Sequence, residues 1–225
     1  MAMPTHDEST LSLFDEPRRV ESREEELAPD AIVLRGFALS NANALVNALS
    51  EVTAQSPFRH MITPGGFRMS VAITNCGSLG WVTDRNGYRY HPIDPESGRP
   101  WPAMPSCFAD VARSGAATAG FAGFAPDACL INRFEVGAKL SLHQDRDERD
   151  LTAPIVSVSL GLPAVFLFGG LTRADKPKRV ALAHGDVVVW GGAARLRYHG
   201  VMRLEEGQHD LLGSHRVNLT FRKAG

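Results

Sequence analysis

Cysteine is scarce in this chain of 225 residues: Cys76, Cys107 and Cys129 stand far apart, with no Cys-x-x-Cys pair. That scarcity argues against a disulfide framework or a structural zinc site and fits a reducing, cytoplasmic compartment. No apolar run approaches the ~20 residues of a membrane helix, so no spanning segment is expected. Met1 to Ser12 lacks a cationic start followed by an apolar stretch, so no secretory signal is read. Repeats, low-complexity tracts and heptads are absent too, and the expected state is a monomer.

What is present describes an ordinary globular protein, 44% apolar and 22% charged, long enough for one domain with a sizeable core. The formal net charge of -1 hides an asymmetry. Residues 1–30 carry nine acids against Arg18, Arg19 and Arg23, and the remainder is mildly basic. Residues 1–30 therefore read as an acidic, flexible arm, and 31–225 as a single domain. A basic body permits a polyanionic partner without demanding one.

Along the chain, Ala31 to Phe37 suits a strand. A helical pattern follows through Leu45, Val46, Leu49 and Val52, with Ser40 or Asn41 as N-cap and Pro57 as its end. From Phe58 to Pro105, glycine, proline and aromatics crowd together, predicting a loop-dominated functional insertion with a short strand near Ser70 to Asn75. A second helix is expected from Ser106 to Ala119. The C-terminal half reads as short strands at Ala128–Phe134, Pro154–Leu160, Ala164–Phe168, Arg179–Ala183, Asp186–Trp190, Arg195–Gly200 and Arg216–Arg222. Glycine-rich turns separate them, which indicates an all-β sandwich or barrel.

His143-Gln144-Asp145 places an imidazole and a carboxylate on one side of an extended chain. With a distant histidine they could form the two-His-one-carboxylate triad of non-haem iron oxygenases. The pair alone has no weight, because His184-Gly185-Asp186 has the same spacing. The second instance reads as a turn before the strand Val187 to Trp190. His199 is the best third ligand, although a hairpin could equally join it to His184.

Arg216, Asn218, Thr220 and Arg222 alternate with Val217, Leu219 and Phe221. Period-two alternation puts two arginines, an amide and a hydroxyl on one surface. Taken alone this would be a solvent-facing strand. Beside a metal triad it gains another meaning: two guanidiniums can hold the two carboxylates of 2-oxoglutarate.

Several blocks closely resemble the bacterial AlkB-type alkylated-DNA repair dioxygenases. They are Gln55-Ser56-Pro57-Phe58-Arg59, Thr63-Pro64-Gly65-Gly66, Thr74-Asn75-Cys76-Gly77, Trp101-Pro102-Ala103-Met104-Pro105, Asn132-Arg133, Gly137 to Asp145, Asp186 to Gly192 and Arg216 to Arg222. The resemblance runs from about residue 31 to 223. It implies a mainly β fold with flanking helices, a double-stranded β-helix (jelly-roll) core, and Fe(II) held by His143, Asp145 and His199. Arg216 would pair with the distal carboxylate of 2-oxoglutarate, assisted by Asn132 and Asn218, and Arg222 would sit nearer the iron. Phe134 departs from the family, which usually has a tyrosine there whose hydroxyl helps hold the cosubstrate.

The resemblance also implies a reaction. With O2, Fe(II) and 2-oxoglutarate, the N-methyl group of 1-methyladenine or 3-methylcytosine is hydroxylated and lost as formaldehyde, and succinate and CO2 are formed. Alkylated single-stranded DNA is the expected partner, with duplex DNA or RNA as alternatives. A base must leave its stack to react, which calls for a pocket of flat side chains. Trp81 and His143 would sandwich it, Tyr88 would meet the phosphate side, and Asp147 the cationic base edge. Met69, Arg173, Phe67 and Trp190 match pocket or rim positions. Tyr90, Trp101 and Phe108 read as packing aromatics. A jelly-roll binding module with a purely structural metal is the rival from another class.

Overall fold

The computed structural model describes residues 24–225. Thirteen strands and two helices occur in the described part. The chain begins β1 (Glu24–Ala28), β2 (Ala31–Leu34), α1 (Ala42–Gln55), β3 (Ala72–Gly77), β4 (Gly80–Asp84), β5 (Gly87–His91), α2 (Ser106–Thr118) and β6 (Ala128–Phe134). It continues β7 (Leu140–His143), β8 (Ile155–Gly161), β9 (Ala164–Phe168), β10 (Lys178–Leu182), β11 (Val187–Trp190), β12 (His199–Val201) and β13 (Arg216–Arg222). The strands build a seven-stranded sheet, β1-β2-β11-β8-β13-β6-β3, and a four-stranded sheet, β10-β9-β12-β7. All their pairings are antiparallel.

This is the expected mainly β jelly-roll with flanking helices. Two apolar layers hold it together. One lies between the sheets and includes Val33, Ile73, Phe134, Ile155, Phe166, Phe168, Val188 and Trp190. The other lies between the large sheet and the helices, where Leu45, Leu49 and Val52 of α1 and Phe108, Val111 and Ala112 of α2 meet Val156, Val158, Val217, Leu219 and Phe221. β13 is therefore buried on both faces. Its apolar residues face the helices, and its arginines, amide and hydroxyl are sealed inside the protein rather than set against solvent.

The structure departs from expectation in four places. Glu24–Ala28, placed within the arm, forms the edge strand β1, because Leu27 is buried between the sheets and Asp30 turns the chain back with a φ of 62°. Residues 1–23, the rest of the acidic arm, lie outside the described residues. Within the loop-rich stretch of 58–105, β4 and β5 form a hairpin across Asp84 to Gly87. Gly80 opens it where a Cβ would come within 2.3 Å of the Trp101 ring, so only glycine permits this approach. β7 lies outside the expected strands, and the strand expected at Arg195–Gly200 is reduced to His199–Val201 after a short turn at Gly192–Ala194. Among the described residues no helix is long and apolar enough to cross a membrane.

Candidate active site

The metal-ligand geometry follows from one strand pairing. His143 on β7 and His199 on β12 are direct cross-strand partners, so their side chains emerge side by side with ring centres 4.4 Å apart. Asp145 follows two residues after His143, beyond the end of β7. His143 Nε2 lies 3.5 Å from Asp145 Oδ1, and His199 Nε2 lies 3.7 Å from Oδ2. All three ligand atoms fall within 4.8 Å of one another, and no other such cluster occurs among the described residues.

The rings are also oriented for coordination. His143 Nδ1 donates to the Ser141 carbonyl at 2.9 Å, and His199 Nδ1 donates to the Arg197 carbonyl at 3.0 Å. Each Nδ1–H is thereby committed, leaving both Nε2 lone pairs aimed at the shared point. Burial, with His143 beside it, lowers the pKa of His199 and keeps it neutral. Burial alone would raise Asp145, but the Arg222 guanidinium and His199 hold its carboxyl well below the ordinary carboxylate range. A neutral imidazole and an ionised carboxylate are the forms that bind a divalent cation.

His184 lies elsewhere. Its Nδ1 accepts from the Gly161 amide at 3.0 Å, and its ring lies 4.4 Å from that of His209. Gly185, at φ +85°, and Asp186, which accepts from the Gly36 and Ala183 amides, make the expected turn. The second His-x-Asp is thus structural, and the ambiguity between the histidines is removed.

Arg216 is 1% exposed and donates one hydrogen bond, from Nη2 to Ser159 Oγ at 3.0 Å. Its Nε and Nη1 are buried with no hydrogen-bond partner among the described residues. Burial lowers its pKa to about 10. A guanidinium so placed is strongly destabilising unless an anion completes it, and a ligand carboxylate could accept from both nitrogens. Nearby, Asn218 donates to Ser157 Oγ at 2.7 Å, and Thr220 donates to Asn218 Oδ1 at 2.8 Å. Arg222 differs from Arg216. It contacts Asp145 Oδ2 through Nε at 3.1 Å and Nη2 at 2.5 Å, and it keeps one unpartnered terminal nitrogen.

These groups line one cavity of about 670 Å³. It also takes in Asn132, Phe134, Met69, Trp81, Tyr88, Asp147 and Arg173. Trp81 stacks on Tyr88, with ring centres 5.6 Å apart and planes 17° off parallel. Trp81 Nε1 donates to Asp147 Oδ2 at 2.8 Å, tying the β4–β5 hairpin to the loop that carries Asp145. Trp190 is buried at the cavity wall, 5.0 Å from the His199 ring. Phe67 is 76% exposed on its loop and does not line the cavity. Trp101 and Phe108 pack in the apolar layers as expected.

Sequence reasoning missed three residues. Tyr90, read as a packing aromatic, donates to Glu148 at 2.9 Å and lines the cavity. Glu148 itself is buried between Arg195 and Arg222. Only the burial of such charges reveals them, and one sequence carries no local signal of it.

A jelly-roll whose facing strands present two histidines and a carboxylate, above a buried arginine short of an anion, defines a non-haem iron dioxygenase that uses an oxo-acid cosubstrate. The comparisons agree. Residues 30–222 match the 2OG-Fe(II) oxygenase superfamily. The alpha-ketoglutarate-dependent dioxygenase AlkB of Escherichia coli is 60% identical over 215 residues, spanning 96% of this chain and 98% of that protein. Its namesake from Salmonella typhimurium is 61% identical over 201 residues, spanning 89% and 93%. The solved structure of OsALKBH1 superposes with a TM-score of 0.79 at 28% identity, covering 89% of this chain and 100% of that one. This chain belongs to the 2OG-Fe(II) oxygenase superfamily, and within it to the AlkB family of Fe(II)- and 2-oxoglutarate-dependent dioxygenases.

Proposed function

We propose that this dioxygenase directly repairs N-alkylated bases such as 1-methyladenine and 3-methylcytosine, acting as a monomer on single-stranded DNA. One observation carries the reading: the triad, the anion-deficient Arg216 and the stacked Trp81–Tyr88 pair share a single cavity. Two anchoring chemistries, for a metal with a dicarboxylate and for a flat cation, thus meet in one space.

In this reading His143, Asp145 and His199 hold Fe(II). Arg216 binds the distal carboxylate of 2-oxoglutarate, and Arg222 lies at the end nearer the metal. Asn132, Asn218 and Phe134 shape the wall between them. Bound with its cosubstrate and O2, the iron supplies the oxidising power that hydroxylates an N-methyl carbon. The hydroxylated carbon then gives up its original bond to the base nitrogen, and loss of the hydroxyl proton leaves formaldehyde and the repaired base.

The chain's own residues hold the substrate. Trp81 provides a stacking face, worth about 1–3 kcal/mol per base, and Tyr88, stacked against Trp81, meets the phosphate side. Asp147 offers a carboxylate to a base that alkylation has made cationic, a charge the unmodified base lacks. Met69 and Arg173 stand at the wall and rim. RNA presents the same base edges, so it is the alternative to test.

The test is mass spectrometry of a short single-stranded DNA carrying one 1-methyladenine, incubated with enzyme, Fe(II), 2-oxoglutarate and ascorbate, beside the matching RNA. Loss of one methylene mass from the DNA, abolished without 2-oxoglutarate, is expected. Consumption of 2-oxoglutarate with both strands unchanged would reject the substrate. A faster reaction on RNA would reassign the nucleic acid.

A further inference from the structure

Behind the metal site lies a buried group of four charges, of which the reaction as described uses Asp145 and Arg222 but not Glu148 and Arg195. Arg195 is 3% exposed: Nε donates to the Ala153 carbonyl at 3.0 Å and Nη1 to the backbone carbonyl of Asp145 at 2.7 Å, while Nη2 lies 3.0 Å from Glu148 Oε2 as an ion pair without hydrogen-bond alignment. The opposite oxygen of Glu148 lies 3.1 Å from Arg222 Nε and accepts from the Tyr90 hydroxyl at 2.9 Å. Arg222 in turn grips Asp145. Two cations and two anions thus balance with little solvent to share the load, since the Glu148 side chain is 1% exposed and that of Arg222 is 6%.

Such a group is costly to build, and it frequently breaks even against apolar packing. Its geometry gives it a use. Arg222 can point its remaining terminal nitrogen into the cavity only if its other edge is held. Asp145 cannot be the sole holder, because the metal competes for the same carboxylate oxygens. Glu148 is the holder that the metal does not touch. The Arg195 charge lies 3.0 Å from the far oxygen of Glu148, and the Tyr90 hydroxyl hydrogen-bonds the near one. Tyr90 also belongs to β5, the hairpin strand opposite Trp81.

We propose that Glu148 and Tyr90 are positioning residues: Glu148 fixes the Arg222 guanidinium for 2-oxoglutarate, and the Tyr90 hydroxyl ties the position of the β4–β5 hairpin to that same carboxylate. The assignment rests on Arg222 meeting the cosubstrate, as in the proposed function. Occupancy of the cosubstrate site and order in the hairpin that stacks the base are then linked through three side chains. Tertiary packing alone predicts no such link.

The experiment uses the full chain with Mn(II) in place of iron, so that nothing turns over. Binding of 2-oxoglutarate is measured by calorimetry, and hydrogen–deuterium exchange is followed with and without it. Glu148→Gln keeps the shape and removes the charge; its 2-oxoglutarate affinity should fall on the order of tenfold or more, as is usual when a partner behind a site ligand is lost. Tyr90→Phe removes one hydroxyl. In the parent protein, 2-oxoglutarate should slow exchange over residues 80–91; in Tyr90→Phe that protection should disappear while 155–161 and 216–222 stay protected.

Equal hairpin protection in Tyr90→Phe and the parent would overturn the link. Unchanged affinity in a folded Glu148→Gln protein would overturn the positioning role. A parent protein that binds Mn(II) but not 2-oxoglutarate would remove the cosubstrate reading itself, and the proposal with it.

Discussion

Arg216 and Phe134 face each other as register partners on β13 and β6, and the guanidinium carbon lies 5.1 Å from the centre of the phenyl ring. The ring offers its π face to a buried cation that otherwise has one hydroxyl, from Ser159. A phenyl ring supplies no hydrogen bond, so both the arginine and an incoming carboxylate lack one that a phenol would give. Phe134→Tyr should therefore lower the Michaelis constant for 2-oxoglutarate roughly two- to tenfold, the value of about one net hydrogen bond. Steady-state CO2 release at varied 2-oxoglutarate measures it. An unchanged constant would mean that the Ser159 hydroxyl already completes the site.

Arg216 is 1% exposed with Nε and Nη1 unpartnered, a placement that should destabilise the protein when no carboxylate is bound. Arg216→Met retains much of the volume and removes the charge. The variant should be more stable than the parent by roughly 1–3 kcal/mol in the absence of 2-oxoglutarate. It should also lose the stabilisation that Mn(II) with 2-oxoglutarate gives the parent. Urea unfolding with and without those ligands reads both effects. A ligand-free variant less stable than the parent would show that the guanidinium is better satisfied than its contacts indicate.

His143 and His184 share a local motif and separate in space. His143→Ala removes a ligand and should cut turnover by at least about 100-fold, beyond the usual cost of losing a supporting residue. His184→Ala should leave most of the activity and lower stability through the unpaired Gly161 amide. Equal losses of turnover in two folded variants would contradict the ligand assignment.

What could be read in the sequence follows from range. The alternation in Arg216 to Arg222 is local, and it located both the strand and its two faces. It could not tell solvent from an interior cavity, because burial of the polar face depends on the second sheet. The choice between His143 and His184 was open to spacing alone, since it turns on β7 pairing with β12 across more than fifty residues of chain. Tyr90, Glu148 and Arg195 become a unit only when a hairpin, a loop and a turn meet. β1 was hidden for a different reason: Glu24, Glu25 and Glu26 are exposed on an edge strand and read as arm. The β4–β5 hairpin did carry a local sign, Asn86-Gly87 between two short strands, overshadowed by the surrounding prolines and glycines.

Trp81 and Asp147 make separable contributions to substrate recognition. Trp81→Ala removes the stacking face, so the Michaelis constant for a 1-methyladenine oligonucleotide should rise about 5- to 100-fold, in line with one lost base stack. Asp147→Asn keeps an acceptor for the Trp81 indole and removes the charge. It should penalise cationic lesions more than neutral ones such as 1-methylguanine. Competition between the two lesions in one reaction tests this directly, and an unchanged preference would mean that Asp147 serves only to hold Trp81.

The pair formed by His184 and His209 gives the protein a pH response away from the active site. Burial, and His209 alongside it, lower the pKa of His184 below its ordinary 6.5. The Gly161 amide points at its Nδ1, the atom that a second proton would need. As pH falls, the unfolded chain takes up a proton near 6.5 while the folded chain does not, so stability declines from there through the lowered folded value and then levels. His184→Asn keeps an acceptor for Gly161 and removes the titration. Urea midpoints at about pH 7.5 and pH 5.5 should therefore lie closer together in His184→Asn than in the parent. His143 and His199 titrate in both proteins, so the difference between the two slopes isolates His184. Equal slopes would place the acid response at the metal site instead.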